Sequence, residues 1–213
     1  MLVRDVMTKN PITIDSKASI LEAKNIMTKN NINKLPVLDK GGALIGIITT
    51  NDLQRSTPSD ATTLDVYEMG YLLSKLSVEK CMTKNPKTVQ PGETVEEAAR
   101  IMADNDFGCL PVMEDKLIVG IITDSDLFKM FIEMFGTRES GIRVTINMSD
   151  ECGSLSAFTE RVAQKKGKII SLVTSPASDT EHRIVTVKAV DISMADIEEI
   201  ARECGCVEDI RKI

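Results

Sequence analysis

The apolar positions of this chain fall into runs that occur twice. Gly46-Ile47-Ile48-Thr49-Thr50-Asn51-Asp52-Leu53 and Gly120-Ile121-Ile122-Thr123-Asp124-Ser125-Asp126-Leu127 each place a β-type apolar run before a Thr and then helix formers. Each therefore predicts strand, tight turn and helix, the helices starting at Asp52 and Asp126. Ahead of them, Ile20, Ala23, Ile26 and Met27 recur at helical spacing, as do Val95, Ala98, Ala99, Ile101 and Met102. Such stripes give each copy a helix with one apolar, core-facing side. Further strands are predicted at 12–14 and 87–89, and at 34–38 and 109–113.

Self-alignment extends the pattern. Met7-Thr8-Lys9-Asn10-Pro11 returns unchanged as Met82-Thr83-Lys84-Asn85-Pro86, and Leu35-Pro36-Val37 as Leu110-Pro111-Val112. The period is about 75 residues, with one residue lost before Gly46 and Gly120 come into line. A small sheet with helices on one face leaves its other face apolar, and two copies can cover each other. These patterns divide the chain into a first repeat at 1–56, a linker at 57–77 and a second repeat at 78–136. The linker is read as an amphipathic connecting helix with Leu64, Tyr67, Tyr71, Leu72 and Leu76 on one side.

From 141 to 213 the character changes. Ile142, Val144 and Ile146 alternate as a half-buried strand, and Leu155, Phe158, Val162 and Ala163 mark a helix. Strands Ile169–Val173 and Ile184–Val190 follow, separated by a polar loop at 174–183 long enough to be mobile. Ser193-Met194-Ala195-Asp196 opens a helix that Gly205 stops, and Val207–Ile213 is a last strand. The order βαββαβ is a ferredoxin-like split arrangement. The expected fold class is α/β (α+β): two pseudo-symmetric domains packed through their sheets, then the ferredoxin-like unit.

Composition narrows the function. Lys and Arg total 26 against 32 Asp and Glu, a net charge of −6, so no basic surplus exists to neutralise a nucleic acid. No apolar run approaches the roughly 18 residues that span a bilayer, and Met1 to Asp5 lacks a signal peptide's apolar core, so a cytoplasmic protein is expected. Five scattered cysteines suit reduced thiols. Cys204-Gly205-Cys206 offers two thiols but lacks a second thiol pair, and His182 is the sole histidine, set in the polar loop. No nucleophilic triad, metal set or glycine-rich phosphate loop is present, so neither catalysis nor a catalytic cofactor is expected.

The repeated Thr-x-x-Asp has two readings. It is a capping box, in which the Thr hydroxyl and Asp carboxylate satisfy N–H groups at a helix start. The same groups could instead meet a ribose diol and a phosphate.

The entry Met-Thr-x-x-Pro, the Leu-Pro-Val strand and the closing Gly-x-x-Thr-x-x-Asp resemble CBS (cystathionine-beta-synthase) domains, in order and twice, over Val6 to Leu53 and Cys81 to Leu127. The resemblance implies a Bateman module whose clefts bind an adenosyl ligand: AMP, ADP, ATP, S-adenosylmethionine or a cyclic dinucleotide such as cyclic di-AMP. It places Asp52 and Asp126 on ribose, Thr49 and Thr123 beside ribose or phosphate, and Lys34 on phosphate. Cys109 stands at Lys34's counterpart position, which implies unequal clefts. Thr13 and Thr88 match the adenine-lining strand, and Ile47 and Ile121 would flank the base in a chain with no Trp. Residues 141–213 resemble an ACT domain through Asp150-Glu151-Cys152-Gly153-Ser154-Leu155, which implies an amino-acid site or a dimer interface at Asp150, Gly153 and Leu155. Gly153 could equally serve only a tight turn, and Asp150 only a helix cap. A CBS pair followed by an ACT domain is similar to the acetoin-utilisation family. The implied function is a homodimeric, non-catalytic sensor acting on a regulated enzyme partner; the alternative is an assembly module with vestigial clefts.

Overall fold

The computed structural model describes residues 1–56, 71 and 73–213, so most of the expected connecting helix, including Leu64, Tyr67 and Leu72, lies outside the described residues. The chain divides into two compact units, Met1–Leu127 and Phe128–Ile213.

In the first unit the repeats fold alike. The first contributes α1 (Val3–Val6), β1 (Thr8–Lys9), β2 (Ile14–Asp15), α2 (Ile20–Asn30), β3 (Lys34–Leu38), β4 (Leu44–Thr49) and α3 (Thr50–Ser56). The second contributes α4 (Val78–Cys81), β5 (Thr83–Lys84), α5 (Val95–Asn105), β6 (Cys109–Glu114), β7 (Leu117–Thr123) and α6 (Asp124–Met134), whose last residues belong to the second unit. Local chemistry sets the ends of the long helices: Ser19 Oγ accepts from Glu22 N at 3.1 Å and Thr94 Oγ1 from Glu97 N at 3.2 Å. Left-handed Asn31 and Asp106 close them, as residue types that tolerate φ near +50°. The expected strand at 12–14 starts two residues later, at Ile14–Asp15, and its counterpart is a single bridge from Val89 to Val112. The closing helices begin at Thr50 and Asp124, because the capping Thr sits before the first helical residue rather than within the strand's turn.

Each sheet is completed by the other repeat. Strand order is β2-β3-β4-β5 in one and β1-β7-β6 in the other. Thus β5 joins β4 with Gly46 opposite Lys84, and β1 joins β7 with Lys9 opposite Gly120. Val78 and Met82 sit in the first repeat's core with Ile20, Leu35 and Ile48. The exchange accounts for the repeated pentapeptide. Met82 and Met7 lie on Gly46 and Gly120, where a Cβ would meet their sulfurs at 2.4 and 2.3 Å. Thr-Lys forms the added strand, and Asn10 and Asn85 turn it at φ 48° and 50°.

The second unit is β8 (Ile142–Ser149), α7 (Ser154–Gln164), β9 (Lys168–Pro176), β10 (His182–Val190), α8 (Met194–Cys204) and β11 (Gly205–Lys212). Its antiparallel sheet has the order β11-β8-β10-β9, the ferredoxin-like arrangement. Val144, Ile146, Phe158, Val187, Ile197 and Ala201 are fully buried between sheet and helices. The expected loop at 174–183 is shorter, 177–181: Thr174 pairs with Val185 and Pro176 with Arg183, because hairpin hydrogen bonding extends past the apolar run. Gly205 ends α8 in extended conformation, and its role is close approach, since a Cβ there would lie 2.4 Å from Asn147 O. Among the described residues no helix is long and apolar enough to cross a membrane.

Candidate functional site

The first Thr-x-x-Asp lies where β4 gives way to α3. Thr49 N and Thr49 Oγ1 both donate to Asp52 Oδ2, at 2.9 and 2.7 Å, and Asp52 N donates to Thr49 Oγ1 at 3.3 Å. The capping box is therefore closed, yet Oδ1 of Asp52 takes none of these bonds. Thr49 and Asp52 are both half-buried. The second copy repeats the geometry: Thr123 N and Oγ1 donate to Asp126 Oδ2 at 3.0 and 2.7 Å.

Around the first copy a cleft of about 780 Å³ opens. Lys34, Ile47, Thr49 and Asp52 line it from the first repeat. The second repeat supplies the stretch from Thr83 to Lys87, the turn from Asp106 to Cys109, and Asp124. The strand exchange brings the first of these stretches here, since β5 lies beside β4. Thr13 and Thr88 are not among the lining residues; Thr13 is half-buried coil and Thr88 exposed coil. Ile121 belongs instead to a small buried cluster with Ile47 and Cys109. Thr123 and Asp126 lie outside this cleft's lining.

The wall carries mixed charge: Lys34, Arg55, Lys84 and Lys87 against Asp52, Asp106 and Asp124. Lys34 is committed. Its Nζ donates to Gly108 O and lies 2.9 Å from Asp124 Oδ1. Partial burial pushes the Asp124 carboxyl up, but the bonds from Lys34 and from Ser125 N outweigh it and hold the group below the usual carboxylate range. With side-chain exposures of 20% and 51%, the pair contributes at most about 1 kcal/mol. Gly108 makes room for it: a Cβ there would lie 2.9 Å from Lys34 Nζ. Burial pushes the Cys109 thiol up to about 11, Lys34 opposing and Asp124 adding to it, so the group is a neutral thiol.

Reading the repeat for its matches missed Gly108 and Asp124. The signal was in its mismatches. Asn33 aligns with Gly108, Lys34 with Cys109 and Thr50 with Asp124, and these departures meet at one spot across the two repeats.

In the second unit, Asp150 does not cap a helix; it takes two bonds from the Arg183 guanidinium, at 2.9 and 3.2 Å, which hold its carboxyl below the usual range. Gly153 stands at the start of α7 with φ 101°, and a Cβ there would meet nothing within 4 Å, so glycine serves the backbone angle rather than close packing. Leu155 is 36% exposed beside it.

Comparison with known proteins bears on this cleft. A CBS domain family model matches residues 3–58 and 78–133, more than half of the chain. A CBS domain-containing protein of Dictyostelium discoideum is 33% identical over 135 residues, covering 63% of this chain and 93% of that protein. The L-aspartate semialdehyde sulfurtransferase of Methanocaldococcus jannaschii is 35% identical over 131 residues, 61% of this chain but only 23% of that protein. Among solved structures, a CBS domain pair in complex with 5′-methylthioadenosine and S-adenosyl-L-methionine is 34% identical, with a TM-score of 0.52 over 65% of this chain and 98% of that one. A putative acetoin utilization protein (AcuB) from Vibrio cholerae is 28% identical, with a TM-score of 0.54 over 65% of this chain and 95% of that one. The twofold repeat, its exchanged strands and these matches make the chain a member of the CBS domain family, with two such domains in tandem.

Proposed function

We propose that this chain is a non-catalytic sensor that binds an adenosyl ligand in the cleft between its paired repeats. The observation that carries the reading is the convergence of Thr49, Asp52, Ile47 and Lys34 from one repeat with a turn and strand of the other on one cleft. The capping bonds fall on Asp52 Oδ2, which supports a reading in which Oδ1 accepts from a ribose diol while the cap is kept. Ile47 supplies an aliphatic wall for the base. A ligand touching both repeats would stabilise their contact, which is how occupancy becomes a signal. The likeness to a CBS pair that holds adenosyl compounds supports the same reading.

The remaining parts of the proposal are the second unit and the assembly. The ferredoxin-like topology with Asp150, Gly153 and Leu155 near one sheet end supports an ACT-like role in pairing or amino-acid binding. A homodimer has its support in α6, where Phe128, Phe131 and Met134 are 69%, 55% and 51% exposed. The regulated partner would be an enzyme, in an acetoin-utilisation-like setting suggested by the Vibrio cholerae neighbour. The cell's cytoplasm is the proposed location.

The test is a thermal-shift titration of the full chain with 5′-methylthioadenosine, S-adenosylmethionine, AMP, ADP, ATP and cyclic di-AMP, beside the Asp52→Ala/Asp126→Ala double variant. A ligand at a hundred times its Kd stabilises by about 2.7 kcal/mol, a rise of several degrees in a chain of this size. The expected result is a rise with at least one adenosyl compound that the double variant loses. No rise with any of them refutes the sensor and favours an assembly module.

A further inference from the structure

The cleft's most sheltered cation is already occupied. Arg55, Lys84 and Lys87 are exposed, where solvent and salt screen them, whereas the Lys34 side chain is 20% exposed. Its ammonium has three donors, and two are spent on Gly108 O and Asp124 Oδ1. Asp124 itself stands on the cleft wall. A phosphate entering here would have to draw Lys34 from its carboxylate, and would then face that carboxylate unpaired. A thioether has no such conflict, and a sulfonium or ammonium gains an attraction.

We propose that Asp124 sets the charge class of the ligand, so that this cleft takes adenosyl compounds whose 5′ substituent is a thioether or sulfonium chain in preference to a phosphate. The inference rests on the adenosyl reading above and goes beyond it by naming the selecting residue. The repeat supplies an internal contrast. At the position of Asp124 the first repeat has Thr50, whose hydroxyl bonds to Asn33, and at that of Lys34 the second has Cys109, a neutral thiol. No equivalent ion pair is possible from those residues, so the selection belongs to one end of the pseudo-symmetric pair.

The experiment is calorimetric titration of the full chain with 5′-methylthioadenosine, S-adenosylmethionine and AMP, in the wild type, Asp124→Asn and Asp124→Thr. Asn keeps an acceptor for the bond from Ser125 N, which Asp124 Oδ1 takes at 2.8 Å, and Thr is the residue the other repeat uses, so at least one variant retains the local turn. The wild type is expected to bind methylthioadenosine more tightly than AMP. Because the Asp124 side chain is 51% exposed and its charge partly screened, removing it should tighten AMP roughly threefold, weaken S-adenosylmethionine and leave methylthioadenosine nearly unchanged. A wild type that prefers AMP, or variants whose AMP-to-methylthioadenosine ratio does not move, overturns the inference while leaving the adenosyl site standing. Failure of all three compounds to bind the wild type overturns both.

Discussion

At the scale of single residues, the two glycines beneath Met7 and Met82 show how one missing Cβ can hold a tertiary contact. The positions look equivalent in the repeat, but their surroundings differ. The three atoms nearest a Cβ on Gly120 would all belong to the flexible Met7 side chain, whereas one on Gly46 would also lie 2.9 Å from Thr83 O, a backbone atom of β5 that cannot swing away. Overpacking of this kind typically costs about 1 to 3 kcal/mol. Gly46→Ala is therefore expected at the upper end of that range and Gly120→Ala at the lower, measured as the shift in urea midpoint at unchanged m-value. Equal losses would mean that Met82, not the strand backbone, carries the cost at Gly46. The candidate site was half legible at this scale. Thr49 and Asp52 could be picked from spacing because a helix start demands them locally, and Lys34 from the family resemblance alone; Gly108 and Asp124 could not, because their partner, Lys34, is 74 and 90 residues away in the chain.

At the scale of elements, amphipathic helices α2 and α5 follow directly from their apolar stripes, and both end in left-handed caps that the residue types allow. The two-residue strands β1 and β5 carry no such pattern, since four exposed polar positions say nothing about partners. Their pairing decides what can fold. A fragment of residues 1–56 would lack β5, Val78 and Met82, all of which complete the first repeat's sheet and core. A fragment of residues 11–86 has them. The longer fragment is expected to melt cooperatively by circular dichroism and the 1–56 fragment to show no cooperative transition. A cooperative melt in residues 1–56 would show that the exchanged strand is dispensable. Each fully buried Val or Met removed costs about 1.5 to 3 kcal/mol of transfer free energy, enough to unfold so small a sheet.

For the whole molecule, the two units are packed separately: the first has Leu35 and Ile48 in its first repeat's core and Leu110 and Ile122 buried in its second, and the second unit has its core around Phe158. Phe158 is fully buried between α7 and the sheet, and truncating it should cost about 3 to 5 kcal/mol. Phe158→Ala is expected to lower the melting of the second unit in differential scanning calorimetry while the first keeps its transition and its adenosyl binding. Loss of ligand binding in that variant would reveal energetic coupling between the units, which the sensor reading would then have to include as part of its output.

What the amino-acid order determined by itself is whatever depends on near neighbours. The duplication, the capping boxes at Thr49, Thr123 and Ser193, the helical stripes and the βαββαβ order all rest on contacts within a few residues or on a repeat visible as text. Only the tertiary structure decided that the pentapeptide at each repeat's start completes the other repeat's sheet. It also decided that Lys34 closes on Gly108 and Asp124, and that hairpin pairing shortens the expected loop at 174–183. The physical reason is common to all three. Hydrogen bonds between strands and ion pairs across a cleft are set by which surfaces meet when apolar faces are buried. That choice is made by the packed whole, without leaving a period in the chain.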